Sequence, residues 1–113
     1  MIEMSTQQTT AVIGAGAWGT TLALLLARKG KQVILYEKFP DYGKALIKKR
    51  ENPKFLPGII LPAEIKITVS LKDVKEANFF ILAPPSFAFR ETASNLSKIK
   101  AKGPFLIATK GLE

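Results

Sequence analysis

Neither cysteine nor histidine occurs anywhere in the 113-residue chain. Disulfides, thiol nucleophiles, Ser-His-Asp triads and the usual zinc sites are therefore excluded within it, and no metal site is expected. Long apolar runs are also missing, since none approaches the ~20 residues that a membrane helix needs. The opening MIEMSTQQTT is polar and has no apolar stretch of the signal-peptide kind. Residues 1–9 thus read as a flexible arm, the expected location is the cytoplasm, and no membrane partner is expected. Chemistry is left to lysines, carboxylates, hydroxyls or a bound cofactor.

Acidic residues are scarce beside basic ones, 9 against 17, which leaves a formal charge of +8. Such a balance points to an anionic partner, either a phosphate-bearing ligand or a nucleic acid. The lysines are scattered, however, and KALIKKR at residues 44–50 is the one real cluster. A nucleic-acid surface would use Lys44, Lys48, Lys49 and Arg50, whereas the competing reading is a solvated helix face. No aromatic stacking platform accompanies the cluster, so no nucleic-acid partner is expected. The length and the 47% hydrophobic content suit one domain around a single core.

Periodicity divides residues 10–113 into alternating strands and helices. Residues 10–13 read as a strand entering a glycine turn, and residues 17–29 as a helix whose Trp18, Leu22, Leu25 and Leu26 share one face. Arg28 and Lys29 suit its C-terminal dipole, and Gly30 suits a left-handed cap. Residues 32–37 form a second strand. Asp41 is placed to cap a helix over residues 42–51, and NPKFLPGIILP follows as a loop where three prolines and Gly58 forbid regular helix. A third strand is expected at residues 65–69, a short helix at 71–76 and a fourth strand at 79–83, ended by Pro84 and Pro85. Ser86 can cap a helix running to residue 99, and FLIAT at residues 105–109 makes a fifth strand. Strands alternating with helices of this length imply an α/β fold, a Rossmann-type doubly wound parallel sheet of order 3-2-1-4-5 with helices on both faces.

Ligands of such sheets bind outside the carboxyl ends of the strands, and the segments of interest all fall there. GAGAWG follows the first strand as G-x-G-x-x-G and opens a helix, the context that makes this common pattern specific for a dinucleotide. Gly14 permits the tight turn, Gly16 removes the Cβ that would keep a pyrophosphate from the backbone, and Gly19 lets the helix approach the strand. Ala15, Ala17 and Trp18 complete the cradle, with the amides of Ala17 and Trp18 at a helix N-terminus that favours an anion. Trp18 reads either as core or as a wall beside the cofactor. Glu37, about 20 residues on, is placed to accept hydrogen bonds from an adenosine ribose, and it would repel a 2′-phosphate that Lys38 would attract. The pair leaves NAD and NADP both open, with NAD slightly favoured. Phe87 and Phe89 read as packing, since aromatics are buried for area alone. Lys110, past the fifth strand and between Thr109 and Gly111, can present an ammonium to a substrate oxygen or phosphate.

Read together, VIGAGAWGTTLALLLARKG, RENPKFLPGIILP, the PS of APPSFAFRE and the closing ATKGLE resemble the N-terminal domain of NAD(P)-dependent glycerol-3-phosphate dehydrogenase. The resemblance covers almost the whole chain, and RENPKFLPG and ATKGLE are far more specific than the glycine pattern. It implies reversible hydride transfer between a nicotinamide cofactor and C2 of glycerol 3-phosphate, giving dihydroxyacetone phosphate, a reaction that links glycolysis to phospholipid synthesis. It also implies that Ala17, Trp18, Lys38 and Pro85 lie at the cofactor and that Lys110 reaches both cofactor and substrate. Many bacterial members carry a small residue and then Arg or His where this chain has Glu37 and Lys38, a departure at the position that bears on cofactor choice.

Members of the family continue into a helical C-terminal domain that carries the general-base lysine and most phosphate-binding groups. No catalytic residue is therefore expected among residues 10–113, and the chain reads as a cofactor-binding part that is inactive alone and prone to dimerise or self-associate. Two other readings share the glycine turn: a stand-alone dinucleotide-binding module and the cofactor domain of a related 3-hydroxyacid-type dehydrogenase.

Overall fold

A computed structural model describes residues 8–83 and 89–107 of the chain. In chain order its elements are β1 (Thr9–Ile13), α1 (Ala17–Arg28), β2 (Gln32–Tyr36), α2 (Pro40–Lys49), β3 (Glu51–Asn52), β4 (Leu56–Ile60), β5 (Ile65–Thr68), a 3-10 turn (Leu71–Val74), β6 (Phe79–Leu82), α3 (Phe89–Lys98) and β7 (Phe105–Ile107). Five strands form a parallel sheet in the order β5-β2-β1-β6-β7, while β3 and β4 form a separate antiparallel pair. With the hairpin strands set aside this is the expected order 3-2-1-4-5. The fold is the Rossmann-type doubly wound sheet, with β1 at its centre.

Successive strand residues face opposite sides of the sheet, and the apolar runs use both. Val12, Val33, Leu35, Ile67 and Ile81 enter one core with Ala23, Ala27 and Leu46 of α1 and α2; Ala11, Ile13, Phe80 and Leu82 enter the other with Val74 and with Leu96 of α3. None of these side chains is more than 7% exposed. Each large one contributes about 1.5–3 kcal/mol by leaving water. Among the described residues no helix is long and apolar enough to cross a membrane.

The buried face of α1 is not the one that its large side chains mark. Gly19, Thr20, Ala23, Leu24 and Ala27 are buried, Leu22 and Leu26 pack at the margin, and Trp18 and Leu25 are 45% and 48% exposed. Closeness of approach is the reason. A Cβ built on Gly19 would lie 1.9 Å from the carbonyl oxygen of Gly14, an approach that only glycine allows.

Other boundaries shift for local reasons. β1 begins at Thr9, whose N–H donates to Asn78 Oδ1 at 2.8 Å, so residue 9 belongs to the sheet and not to an arm. Phe39 is the N-cap of α2 and Pro40 its first residue, where a fixed φ suits the helix, which leaves Asp41 inside the first turn and not at the cap. Arg50 closes α2 in the left-handed conformation at φ 56°, and its guanidinium donates to the carbonyls of Pro62 (2.6 Å) and Ile65 (2.7 Å). It ties α2 to β5 and is not a free cation of the basic cluster, whose Lys44, Lys48 and Lys49 remain exposed. The segment expected as a loop, NPKFLPGIILP, instead contains much of the β3–β4 hairpin. The helix expected at residues 71–76 is a single 3-10 turn. Ser86 with Pro84, Pro85 and Phe87 lies outside the described residues, as do residues 1–7 and 108–113.

The hairpin matters because it carries Asn52, which is fully buried. Its Nδ2 donates to the carbonyl of Ala15 and to Thr20 Oγ1, both at 2.8 Å, and its Oδ1 accepts from the Tyr42 hydroxyl. One carboxamide therefore links the glycine turn, α1, α2 and the hairpin. A buried amide with this full set of partners is stabilising, whereas any partner left alone loses its hydrogen bond without regaining water. Replacing Asn52 by Ala is expected to destabilise the chain by about 2 kcal/mol or more, read as a lowered urea midpoint at unchanged slope. Gly19→Ala is expected to cost about 1–3 kcal/mol through overpacking, while Gly16→Ala stays within about 0.5 kcal/mol of the parent because its Cβ meets nothing within 4 Å. Equal effects at the two glycines in urea denaturation would contradict this packing.

Candidate functional site

At the C-terminal end of β1 the chain must reverse sharply into α1. Gly14 takes φ 118°, a conformation that L side chains rarely adopt, and its N–H donates to the Tyr36 carbonyl at 3.0 Å, which fastens the turn to β2. Gly16 is the N-cap of α1 and has no side chain to satisfy the first amides; no acidic residue stands in the first turn either. The N-terminal amides of α1 and the positive end of its dipole are thus left for an anion. Around Gly16 the space that a Cβ would occupy is empty to 4 Å. An open glycine beside an uncapped helix N-terminus fits a pyrophosphate, which needs both close backbone approach and unpaired N–H donors.

The end of β2 forms the second side of the site. Glu37 is buried, at 8% exposure; its N–H donates to the Thr68 carbonyl at 2.9 Å and its carboxylate turns back to accept from the Phe39 N–H at 2.9 Å. Lys38 extends the other way. Its ammonium pairs with Glu91 in the first turn of α3 at 2.7 Å and lies 5.8 Å from the centre of the Phe39 ring. Tyr36, one residue earlier, packs beside the core under α3, and burial pushes its phenol above the ordinary value, with Lys38 opposing and the negative Glu37 and Glu91 reinforcing.

The structure thus brings together Gly14, Ala15, Gly16, Ala17, Trp18 and Gly19 at one strand end and Glu37 and Lys38 at the next. Trp18 stands nearly half-exposed in the first turn of α1, on the side of the turn and not in either core. Pro85 and Lys110 lie outside the described residues, and for Phe89 only its place as the first residue of α3 is described. Two supporting residues escaped the reading of the sequence. Asn52 stood in a segment taken for a loop, although an Asn-Pro step between charged and apolar residues is a strong turn signal. Glu91 resembled any acid in a helix's first turn, and only the sheet order brings it opposite Lys38.

Comparison with known proteins agrees with this geometry. Residues 9–113 match the family described as the N-terminus of NAD-dependent glycerol-3-phosphate dehydrogenase. The chain is 41% identical over 105 residues to the NAD(P)+ glycerol-3-phosphate dehydrogenase of Chlorobium luteolum, and 39% identical over 111 residues to that of Rhodopseudomonas palustris. These matches take in 91% and 97% of the chain but 32% and 33% of the relatives, so the chain spans about one third of their length. The crystal structure of glycerol-3-phosphate dehydrogenase from Coxiella burnetii superposes with a TM-score of 0.87 at 34% identity, over 94% of this chain and 33% of that one. A D-mandelate dehydrogenase solved with NADH and anilino(oxo)acetate shares the fold alone, at a TM-score of 0.69 and 18% identity over 94% of this chain and 34% of that one. A glycine turn open to a pyrophosphate, the sheet order around it and the match over residues 9–113 lead to one conclusion: the chain belongs to the NAD-dependent glycerol-3-phosphate dehydrogenase family, as its N-terminal, NAD-binding part.

Proposed function

We propose that residues 10–113 form the cofactor half of an enzyme that interconverts glycerol 3-phosphate and dihydroxyacetone phosphate. The observation that carries this reading is the open face at Gly16 beside the uncapped start of α1. Gly14, Ala15 and Gly16 shape the turn, and the amides of Ala17 and Trp18 hold the pyrophosphate. Trp18 walls the cofactor on its exposed side. Glu37 orients the adenosine ribose with the carboxylate oxygen not used by Phe39, and its negative charge favours NAD over NADP. A bound nicotinamide ring would supply the hydride acceptor or donor. We assign Pro85 to cofactor binding and Lys110 to both cofactor and substrate, the latter acting as a point charge.

Turnover needs the substrate fixed and its hydroxyl deprotonated in place. We assign those groups to the helical domain that family members carry beyond this region, and the cofactor-binding groups to residues 10–113. We place the enzyme in the cytoplasm, where its product feeds phospholipid synthesis. Self-association is supported by β7, the edge strand of the sheet among the described residues, whose Phe105, Leu106 and Ile107 are 46%, 51% and 57% exposed there. Sedimentation velocity is expected to show reversible dimers at high concentration; a clean monomer throughout would remove that part of the reading.

Calorimetric titration with NADH and NADPH tests the cofactor half. Saturable binding is expected, tighter for NADH. Gly16→Val, whose Cβ finds open space in the fold, is expected to weaken NADH binding by about tenfold or more, equivalent to about 1.4 kcal/mol. A folded chain that binds neither nucleotide, or a variant that binds as well as its parent, would contradict the proposal.

A further inference from the structure

We propose that Glu91 is a specificity-determining residue, which disfavours a 2′-phosphorylated dinucleotide by holding Lys38 in an ion pair. The inference rests on the dinucleotide-binding reading above and adds to it a residue that touches no part of the cradle. Lys38 and Glu91 are 53 positions apart in the chain, yet their charged atoms lie 2.7 Å apart. The bond joins the segment after β2 to the first turn of α3. In the sheet order β5-β2-β1-β6-β7, those two elements flank the C-terminal end of β1, where the glycine turn lies. The pair therefore spans the side of the crevice where the adenosine ribose of a dinucleotide bound at that turn would rest.

Charge at this edge decides what the ribose can carry. Lys38 alone would offer a 2′-phosphate one positive charge. Paired with Glu91 and next to Glu37, it belongs to a group of two carboxylates and one ammonium with a net charge of about −1. A phosphate entering there must compete with Glu91 for the same ammonium and meets an excess of negative charge. A ribose hydroxyl has neither difficulty, since it needs only an acceptor, which Glu37 supplies. Glu91 is held in place by two favourable terms, the Lys38 ammonium and the positive end of the α3 dipole, which it meets from the first turn. Both partners are about half-exposed, at 50% and 57%. The pair consequently matters little to folding and can open for a ligand, which is what a selectivity element requires.

The test is a titration of the 113-residue chain with NADH and NADPH, carried through Glu91→Gln, Lys38→Gln and the double variant. Glu91→Gln frees Lys38, so NADPH affinity should rise by about two- to fivefold, the range that couplings between exposed pairs convert to. NADH affinity should change by less than about twofold. In the Lys38→Gln background the same Glu91 change should give a clearly smaller gain for NADPH, because no ammonium remains to be released. The effect should also shrink in high salt, where exposed charges are screened. An unchanged NADPH-to-NADH ratio in Glu91→Gln, or an equal gain with and without Lys38, would overturn the inference while leaving the cofactor reading intact. Absence of binding by either nucleotide to the folded parent chain would overturn the reading and this inference with it.

Discussion

The carboxamide of Asn52 ties together segments that the chain brings in from four places. It grips the Ala15 carbonyl in the glycine turn, the Thr20 hydroxyl on α1 and the Tyr42 hydroxyl on α2, while its own backbone belongs to the β3–β4 hairpin. The constraint follows from elementary solvation: a glycine turn that presents amides to a ligand must keep its other polar groups paired within the protein. The Ala15 carbonyl points inward, where water cannot reach it without opening the core, and Asn52 supplies the donor. The hairpin that would otherwise be a surface ornament thus becomes part of the frame that holds the glycine turn. Its sequence, RENPKFLPG, also includes Arg50, which anchors the start of β5 through two carbonyls.

On this scaffold the site divides into two regions with different physics. The turn is apolar and tightly packed: Gly19 lies against Gly14, Gly16 faces open space, and the helix dipole is the source of attraction for an anion. The end of β2 is charged and only partly shielded. There the carboxylate of the buried Glu37 is fixed by the Phe39 amide, while Lys38 and Glu91 meet at the surface. In the proposed reading, geometry sets what binds at the first region and charge selects among related ligands at the second.

Much of this was legible in the residues themselves. The order of the five sheet strands, the tight turn at Gly14, the close approach at Gly19 and the meeting of the glycine turn with Glu37 and Lys38 at one sheet edge all follow from local patterns of period and turn chemistry. What escaped depends on contacts between distant parts of the chain. The buried side of α1 was misread because leucine and tryptophan mark hydrophobicity, whereas close approach to the sheet selects for glycine, alanine and threonine at Gly19, Ala23, Ala27 and Thr20. Asn52 looked like turn punctuation, since nothing local reveals that its side chain is buried against Ala15. Likewise the pairing of Lys38 with Glu91 depends on the sheet bringing β2 and α3 to opposite sides of β1. Residue type and spacing announce where a site is; the polar groups that hold it in shape are set by the tertiary fold.

The central claim is that the amides at the start of α1 receive the pyrophosphate of a nicotinamide dinucleotide. The most direct measurement is the ¹⁵N–¹H spectrum of the labelled chain during titration with NADH, following the backbone signals of residues 14 to 19. The account predicts the largest saturable shifts at Gly16, Ala17 and Trp18, with smaller ones at Glu37 and Lys38. Shifts that leave these amides unmoved and gather instead on the exposed Lys44, Lys48 and Lys49 of α2 would contradict it, because the ligand would then be held by loose surface charge and not by the glycine turn.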